Sequence, residues 1–164
     1  MRNLQYSFIC LVTLLMIASC GPDDENGLKD ENTIQLNGQP FSIDNAEVRF
    51  EEGDPLGSYL NIKLEGADAN GTTRTLDLWM AHSPTQPVSG SYTSTLVDSR
   101  LLDDDFTSYE VRRGVNDSDL YFLVSGTVQV QDNGSHNYTV TVNITMDEDN
   151  IFTGFFRGDI HPVE

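Results

Sequence analysis

The chain has 164 residues, of which 38% are hydrophobic, and it carries a formal net charge of −17 at pH 7. So acidic a protein repels nucleic acid and anionic lipid headgroups, which excludes both as binding partners. After an N-terminal leader and a linker, about 130 residues remain, which suits one domain able to bury roughly two-thirds of its surface.

The first nineteen residues have the parts of a secretory signal peptide. Arg2 supplies the positive charge, residues 8–17 form an apolar stretch, and Ala18 and Ser19 are the small residues that precede a cleavage site. The apolar stretch is shorter than the roughly 20 residues that a membrane-spanning helix needs. We therefore expect residues 1–19 to be removed rather than retained as a transmembrane helix.

The sequence Ile17-Ala18-Ser19-Cys20 resembles a bacterial lipobox. The resemblance implies that the signal is cut before Cys20, and that this cysteine is then acylated on its sulfur and on its new amino group. Several acyl chains hold a protein durably on a membrane, because each buried methylene contributes about 0.8 kcal/mol. The other cysteine, Cys10, lies inside the signal, so the processed chain has neither a disulfide nor a free thiol site. An ordinary signal peptide with an incidental cysteine is the alternative.

An acidic segment follows the cysteine, with Gly21 and then Asp23-Asp24-Glu25. It resembles the export signal of Bacteroidota surface lipoproteins, which implies an outer-membrane protein that is anchored by lipid and exposed at the cell surface. A periplasm-facing anchor is the alternative, since acid-rich linkers are common. Residues 20–32 are interpreted as the lipidated cysteine and a flexible tether, and residues 33–164 as the folded domain.

Short alternating runs separated by Gly, Asn and Asp dominate the rest of the chain, and no window of helical length has a convincing apolar stripe. They predict an all-β fold, a single antiparallel β-sandwich or barrel-like domain of about 8–10 strands. The runs are TIQL (33–36), QPFSI (39–43), YLNIKLEG (59–66), TTRTLDLWMA (72–81), SYTSTLV (91–97), YFLVSGTVQVQ (121–131), NYTVTVNITM (137–146) and IFTGFFRGDI (151–160).

The last forty residues also predict a strand register. Apolar side chains fall on even positions in 137–146 and in 151–160, and a three-residue loop at 148–150 keeps them on one face. That loop pairs Met146 with Phe152 and places Asn150 in the left-handed conformation. The strand before them aligns with the same face if the loop near Asp132 has an odd length or contains a bulge. Its aligned residues are Phe122, Val124, Val128 and Val130.

Three glycines, Gly126, Gly154 and Gly158, interrupt this predicted buried face. Glycine inside a strand marks a bend, a bulge or the close approach of another group. Sheet curvature is the simpler interpretation. The alternative is a hollow for an apolar ligand, as in lipocalins.

The only tryptophan, Trp79, departs from its strand's pattern. It shares the outward face with Asp77, whereas the flanking apolar residues point inward. An outward aromatic ring beside a carboxylate is the arrangement of a sugar-binding platform. Tyr59, outward on the preceding strand, is expected to extend this platform.

Acidic pairs in tight loops are weak calcium candidates, because their carboxylates supply two or three of the six to eight oxygens that calcium needs. They are Asp103 with Asp105 and Asp147 with Asp149. Asp also favours turns for local hydrogen-bonding reasons, so solvated turns are the simpler interpretation. No other cofactor or metal site is expected.

No hydrolase, metalloprotease or phosphate-loop motif occurs, so we expect no catalytic residue. The lipobox, the acidic segment and the C-terminal β-rich region together resemble the small surface lipoproteins of Bacteroidota. The favoured function is a non-catalytic surface module that binds glycan, protein or another envelope component. The alternatives are a structural or assembly subunit of a surface complex, and a lipocalin-like carrier of an apolar ligand.

Overall fold

The computed structural model describes residues 30–52, 58–83, 85–98 and 100–163. The signal peptide, Cys20 and the tether as far as residue 29 lie outside the described residues. Within the described ranges, the chain forms no helix with the length and apolar character needed to cross a bilayer. Glu31 and Asn32, at the end of the predicted tether, pair with Arg157 and Phe156 and so belong to the sheet.

Strands account for almost all the regular structure of the described residues, with a single 3₁₀ turn, Asp147–Asp149. The predicted all-β, antiparallel fold is therefore confirmed. The strands are β1 (Glu31–Asn32), β2 (Gln35–Leu36), β3 (Gln39–Pro40), β4 (Asn45–Glu52), β5 (Ser58–Ala67), β6 (Thr73–His82), β7 (Gly90–Thr93), β8 (Arg100–Leu102), β9 (Ser108–Gly114), β10 (Asp117–Gly134), β11 (Asn137–Met146), β12 (Asn150–Asp159) and β13 (His161–Pro162).

These strands form one open sheet in the order β13-β4-β5-β6-β9-β10-β11-β12-β2-β3. Strand β1 also pairs with β12, β7 with β10, and β8 with β6. All pairings are antiparallel except that of β13 with β4. The end strands β13 and β3 do not pair in the described chain, so the sheet is not a closed barrel.

The long strand β10 joins two halves of the sheet. Its first part, Asp117 to Phe122, pairs with β9, and its second part pairs with β11 and β7. Both halves contribute side chains to one hydrophobic core. At its centre the Phe152 ring lies edge-on to Phe41 and Tyr109, with centroids 5.4 and 5.0 Å away. Burial of each such ring stabilises the fold by about 1.5–3 kcal/mol.

The C-terminal meander has the predicted faces but a different register. The even residues of β11 and β12 are buried or half-buried, as predicted, and the connecting loop has three residues. The predicted pairing of Met146 with Phe152 is wrong, because the loop begins one residue earlier and Met146 pairs with Asn150. Asp149, the third loop residue, takes the positive φ that was predicted for Asn150.

The predicted burial of Phe122 and Val124 is also wrong. They are 42% and 58% exposed, whereas Leu123 between them is buried. The register against β11 shifts between Leu123 and Ser125, and this bulge reverses the face on which side chains point. Beyond the bulge Val128 and Val130 are buried as predicted, and a second register shift between Asp132 and Gly134 supplies the predicted bulge.

Gly126 and Gly154, two of the three glycines of the buried face, allow close contact between backbones, whereas side chains of Phe156 and Asp30 lie beside Gly158. A Cβ on Gly154 would lie 2.3 Å from the Thr33 carbonyl oxygen, and one on Gly126 would lie 2.4 Å from the Asn143 carbonyl oxygen. Both residues have positive φ, which side chains disfavour. The space immediately beside them is filled by protein, so it is not a hollow for a ligand.

Candidate functional site

The outer face of strands β4, β5, β6 and β9 brings the three predicted platform residues together. In the antiparallel register Asn61 lies opposite Trp79, Lys63 opposite Asp77, and Tyr59 opposite Ala81. A depression of about 310 Å³ lies on this face, and we call it the outer groove. Its lining residues are Glu47, Arg49, Asn61, Lys63, Thr75, Asp77, Trp79, Ser108, Glu110, Leu120 and Val163.

Trp79 lies where β6 changes its partner strand. Residues 73–77 of β6 pair with β9, and residues 80–82 pair with β8. The Thr107 hydroxyl bridges this gap: its oxygen accepts the Trp79 N–H at 3.0 Å, and the hydroxyl donates to the Trp79 carbonyl at 3.3 Å. The same carbonyl accepts the Asp103 N–H at 2.9 Å. The backbone of Trp79 is thus fixed on both sides, by β5 on one side and, in the gap between β9 and β8 on the other, by Thr107 and Asp103.

Trp79, which lines the outer groove, belongs to a cluster of three aromatic rings beside it. The Trp79 ring is 6.3 Å from Tyr59 and 5.8 Å from Phe106, measured between centroids. The interplanar angles are 66° and 44°, so the rings form an angled wall rather than a single plane. Trp79 and Tyr59 are half-buried, and Phe106 is 58% exposed. The wall is therefore accessible to a ligand and supported from behind.

Asp77 adds a partly desolvated carboxylate beside Trp79. Burial raises the pKa of Asp77 above its ordinary value. Hydrogen bonds from the side chains of Asn61 and Trp79, and the charges of Lys63 and Arg49, offset only part of this rise. The buried Asn61 amide donates to Asp77 and also to the Leu78 carbonyl at 3.3 Å. Asp77 is therefore held in a defined position and offers acceptor oxygens to the groove.

The cations of the outer groove already have carboxylate partners. Arg49 lies 3.7 Å from Glu51, and Lys63 lies 3.4 Å from Glu65. Such exposed pairs contribute only about 0–1 kcal/mol each, yet they offset the positive charge that an anionic ligand would need. Glu47, Asp77 and Glu110 also line the groove, and Glu110 is paired with Arg112 at 2.7 Å. Glu47 and Asp77 therefore leave the walls on balance acidic.

The calcium candidates form two separate turns. Oxygens of Asp103, Asp104 and Asp105 lie within 4.8 Å of one another. Asp103 is buried and accepts the Asp105 N–H at 3.0 Å. Burial raises the pKa of Asp103 above its ordinary value, and N–H donation from Asp105 and Phe106 offsets part of this rise. Its carboxylate therefore caps the turn that carries Phe106, and calcium binding there stays a prediction.

The second pair lies in the loop between β11 and β12. The Asp147 carboxylate accepts the Phe122 N–H at 3.2 Å, so it satisfies a backbone donor of β10 that has no strand partner in the described chain. Asp149 is exposed and has a φ of 58°. These residues also have turn roles, and calcium binding at this loop likewise stays a prediction.

Sequence reasoning missed Asn61, Phe106 and Thr107 as members of the site. Asn61 carried a usable signal, because it lies two residues after Tyr59 and shares its face. Phe106 and Thr107 reach Trp79 only through pairings between distant strands. No family model, curated protein or solved structure matches the chain.

Proposed function

We propose that this chain is a lipid-anchored lipoprotein of the outer membrane whose β-domain binds uncharged oligosaccharides in the outer groove, without catalysis. One observation carries the binding proposal: the half-buried ring of Trp79 lies between Tyr59 and Phe106, beside the fixed acceptor Asp77.

The chemistry of the groove complements that of a sugar. A pyranose ring has faces of C–H groups, which pack on aromatic rings, and hydroxyls at its edges, which need fixed donors and acceptors. Trp79 and Phe106 supply the rings, and Asp77 and Asn61 supply polar atoms next to them. An angled wall suits a chain that bends or exposes its two faces in turn.

The charge of the groove favours uncharged ligands over acidic ones. Uronates and sulfated sugars would face Glu47 and Asp77, while the cations Arg49 and Lys63 are engaged by neighbouring carboxylates. The chain's overall charge of −17 also repels anions over longer distances.

The membrane address rests on the sequence. The lipobox ending at Cys20 and the acidic residues Asp23-Asp24-Glu25 support lipidation and display at the cell surface. A surface position would place the outer groove in contact with extracellular or neighbouring-cell glycans.

Trp79 itself reports on binding, because it is the chain's only tryptophan. The full-length chain is titrated with neutral oligomers of glucose, mannose, galactose and xylose, and with galacturonate oligomers as the acidic comparison. We expect saturable changes in Trp79 emission with at least one neutral oligomer, and no change in the length of the sugar. Saturation only with galacturonate would contradict the charge argument, and shortening of the oligomer would contradict a non-catalytic role.

The anchor is tested by metabolic labelling with a fatty-acid analogue in a Gram-negative host. We expect label on the wild-type chain and on the matched control Cys10→Ser, and no label on Cys20→Ser. Label that survives Cys20→Ser would contradict the lipobox. Digestion of intact cells with an added protease then distinguishes surface display from a periplasm-facing anchor.

A further inference from the structure

The first part of β10 has an edge with no strand beside it among the described residues. Strand β9 pairs with Asp117–Phe122 on one side, and β11 begins to pair only at Leu123. The Leu123 N–H points to the β9 side, where it donates to Thr107, whereas the Phe122 N–H donates to Asp147 on the other side. Backbone groups alternate in direction along a strand. The N–H and C=O groups of Ser118 and Leu120 therefore point to the unpaired edge, on the same side as the Phe122 N–H.

This edge also presents apolar side chains. Leu120 is 53% exposed and Phe122 is 42% exposed, and both lie on the outer face of the sheet. An open depression of about 690 Å³ runs beside Leu120. It is lined by Ser118, Asp119, Leu120, Tyr121, Asp147 and Glu148. Free backbone groups next to exposed apolar side chains are what an added strand requires.

The charges at the edge indicate what kind of strand it accepts. Arg113 neutralises Asp117 and Asp119, at 3.4 and 2.6 Å. Glu148 and Asp149 at the Phe122 end have no ion pair with any cation of the described chain, and Asp147 is used by a backbone N–H. A second copy of this acidic chain would bring like charges to the edge, so a cationic segment fits better.

We propose that this edge of β10 binds an extended segment of a partner protein that alternates apolar residues with Lys or Arg, by addition of a strand. The partner's backbone pairs with Ser118 and Leu120, its apolar side chains pack beside Leu120 and Phe122, and its cations face Glu148 and Asp149. This edge shares Leu120 with the lining of the outer groove but none of the three aromatic rings, and the inference does not depend on sugar binding.

The test uses a short synthetic peptide in which Lys and Val alternate, and the full-length chain. Amide hydrogen exchange measures whether the peptide slows exchange at Ser118 and Leu120, whose N–H groups we expect to exchange freely in the absence of peptide. A peptide of alternating Lys and Gly has the same charge without the strand-forming side chains and serves as the comparison.

Leu120→Pro removes the N–H at the centre of the edge and leaves the β9 ladder intact, because proline is tolerated where the N–H faces outward. We expect it to weaken peptide binding about tenfold through lost hydrogen bonds, and Leu120→Ala to weaken it less. Should Leu120→Pro fail to fold, Glu148→Lys gives an independent readout: binding about threefold weaker and less dependent on salt.

Slowed exchange at Ser118 and Leu120 with the Lys-Val peptide, lost in Leu120→Pro, supports the proposal. Equal binding of the Lys-Gly peptide would reduce the effect to non-specific charge and overturn it. So would slow exchange at these two amides before peptide is added, because the edge would then already be covered by the chain itself.

Discussion

The Thr107 hydroxyl is the contact on which the position of Trp79 depends most. Thr107 is fully buried, and its side chain is within hydrogen-bonding distance of both the N–H and the C=O of Trp79. Thr107→Val keeps the shape of the side chain and removes both bonds. The Trp79 carbonyl retains the Asp103 N–H as donor, but the Trp79 N–H loses its acceptor.

The expected cost follows from that orphaned N–H. A buried donor left without a partner costs about 1–3 kcal/mol, and the added methyl group recovers part of this. We therefore expect Thr107→Val to lower the free energy of unfolding by about 1–2 kcal/mol, and to weaken sugar binding because Trp79 is no longer fixed.

Urea denaturation followed by Trp79 emission measures both the stability and the environment of the ring. Thr141→Val is the matched control, since Thr141 is exposed on β11 and should change stability by less than about 0.5 kcal/mol. A Thr107→Val variant with wild-type stability and an unshifted emission spectrum would refute the assigned role of the hydroxyl.

Three further changes test the core, the close backbone approach and the buried carboxylate. Phe152→Ala should lower the free energy of unfolding by about 3–5 kcal/mol in urea denaturation, because it empties the centre of the core. Gly154→Ala should destabilise by more than the ~1 kcal/mol typical of a point mutation, since its Cβ would meet the Thr33 carbonyl at 2.3 Å. Because the folded-state pKa of Asp77 is raised above its ordinary 3.8, its carboxyl favours the folded state most below that pH and loses this contribution as pH rises through the folded pKa. Asp77→Asn should therefore gain melting temperature relative to the wild type as pH rises from about 3.8.

Each of these has a clear contrary result. A Phe152→Ala chain that unfolds at the wild-type urea concentration would contradict the core, and a neutral Gly154→Ala would contradict the backbone contact. Melting curves of Asp77→Asn and wild type that stay parallel across the acid range would show that burial does not raise the pKa of Asp77.

Alternation of apolar residues was sufficient to predict the all-β class and the faces of β11 and β12, because side-chain period is local. It missed β4 although Ala46, Val48 and Phe50 alternate there, since acidic residues and an arginine mask the pattern. It missed β9 for a similar reason: Tyr109 and Val111 are its only buried apolar residues.

Register and bulges could not be obtained in the same way. The loop after β11 has the predicted length, but its start moved by one residue, which shifts every pairing with β12 by two positions. The bulge near Val124 reverses the side of the sheet to which the following side chains point, although no Gly, Pro or Asn precedes it in the strand. Gly126, just after the bulge, was the one available signal in the sequence. Such features depend on contacts between distant strands.

The platform residues were predictable in part. Parity alone placed Asp77 and Trp79 on the outward face, and adjacency of β5 and β6 brought Tyr59 beside them. The angled aromatic wall needed Phe106, whose position depends on the Asp103 turn and on Thr107 rather than on any local pattern.

Calorimetric titration of the wild type, Trp79→Ala and Phe155→Ala with the same neutral oligosaccharide tests sugar binding in the outer groove most directly. Phe155 is the matched aromatic control, because it lies opposite Thr141 in the other half of the sheet. We predict that Trp79→Ala weakens binding by about tenfold or more through lost ring contacts, and that Phe155→Ala leaves it unchanged. Undiminished binding by Trp79→Ala, or an equal loss in Phe155→Ala, would contradict the proposed site.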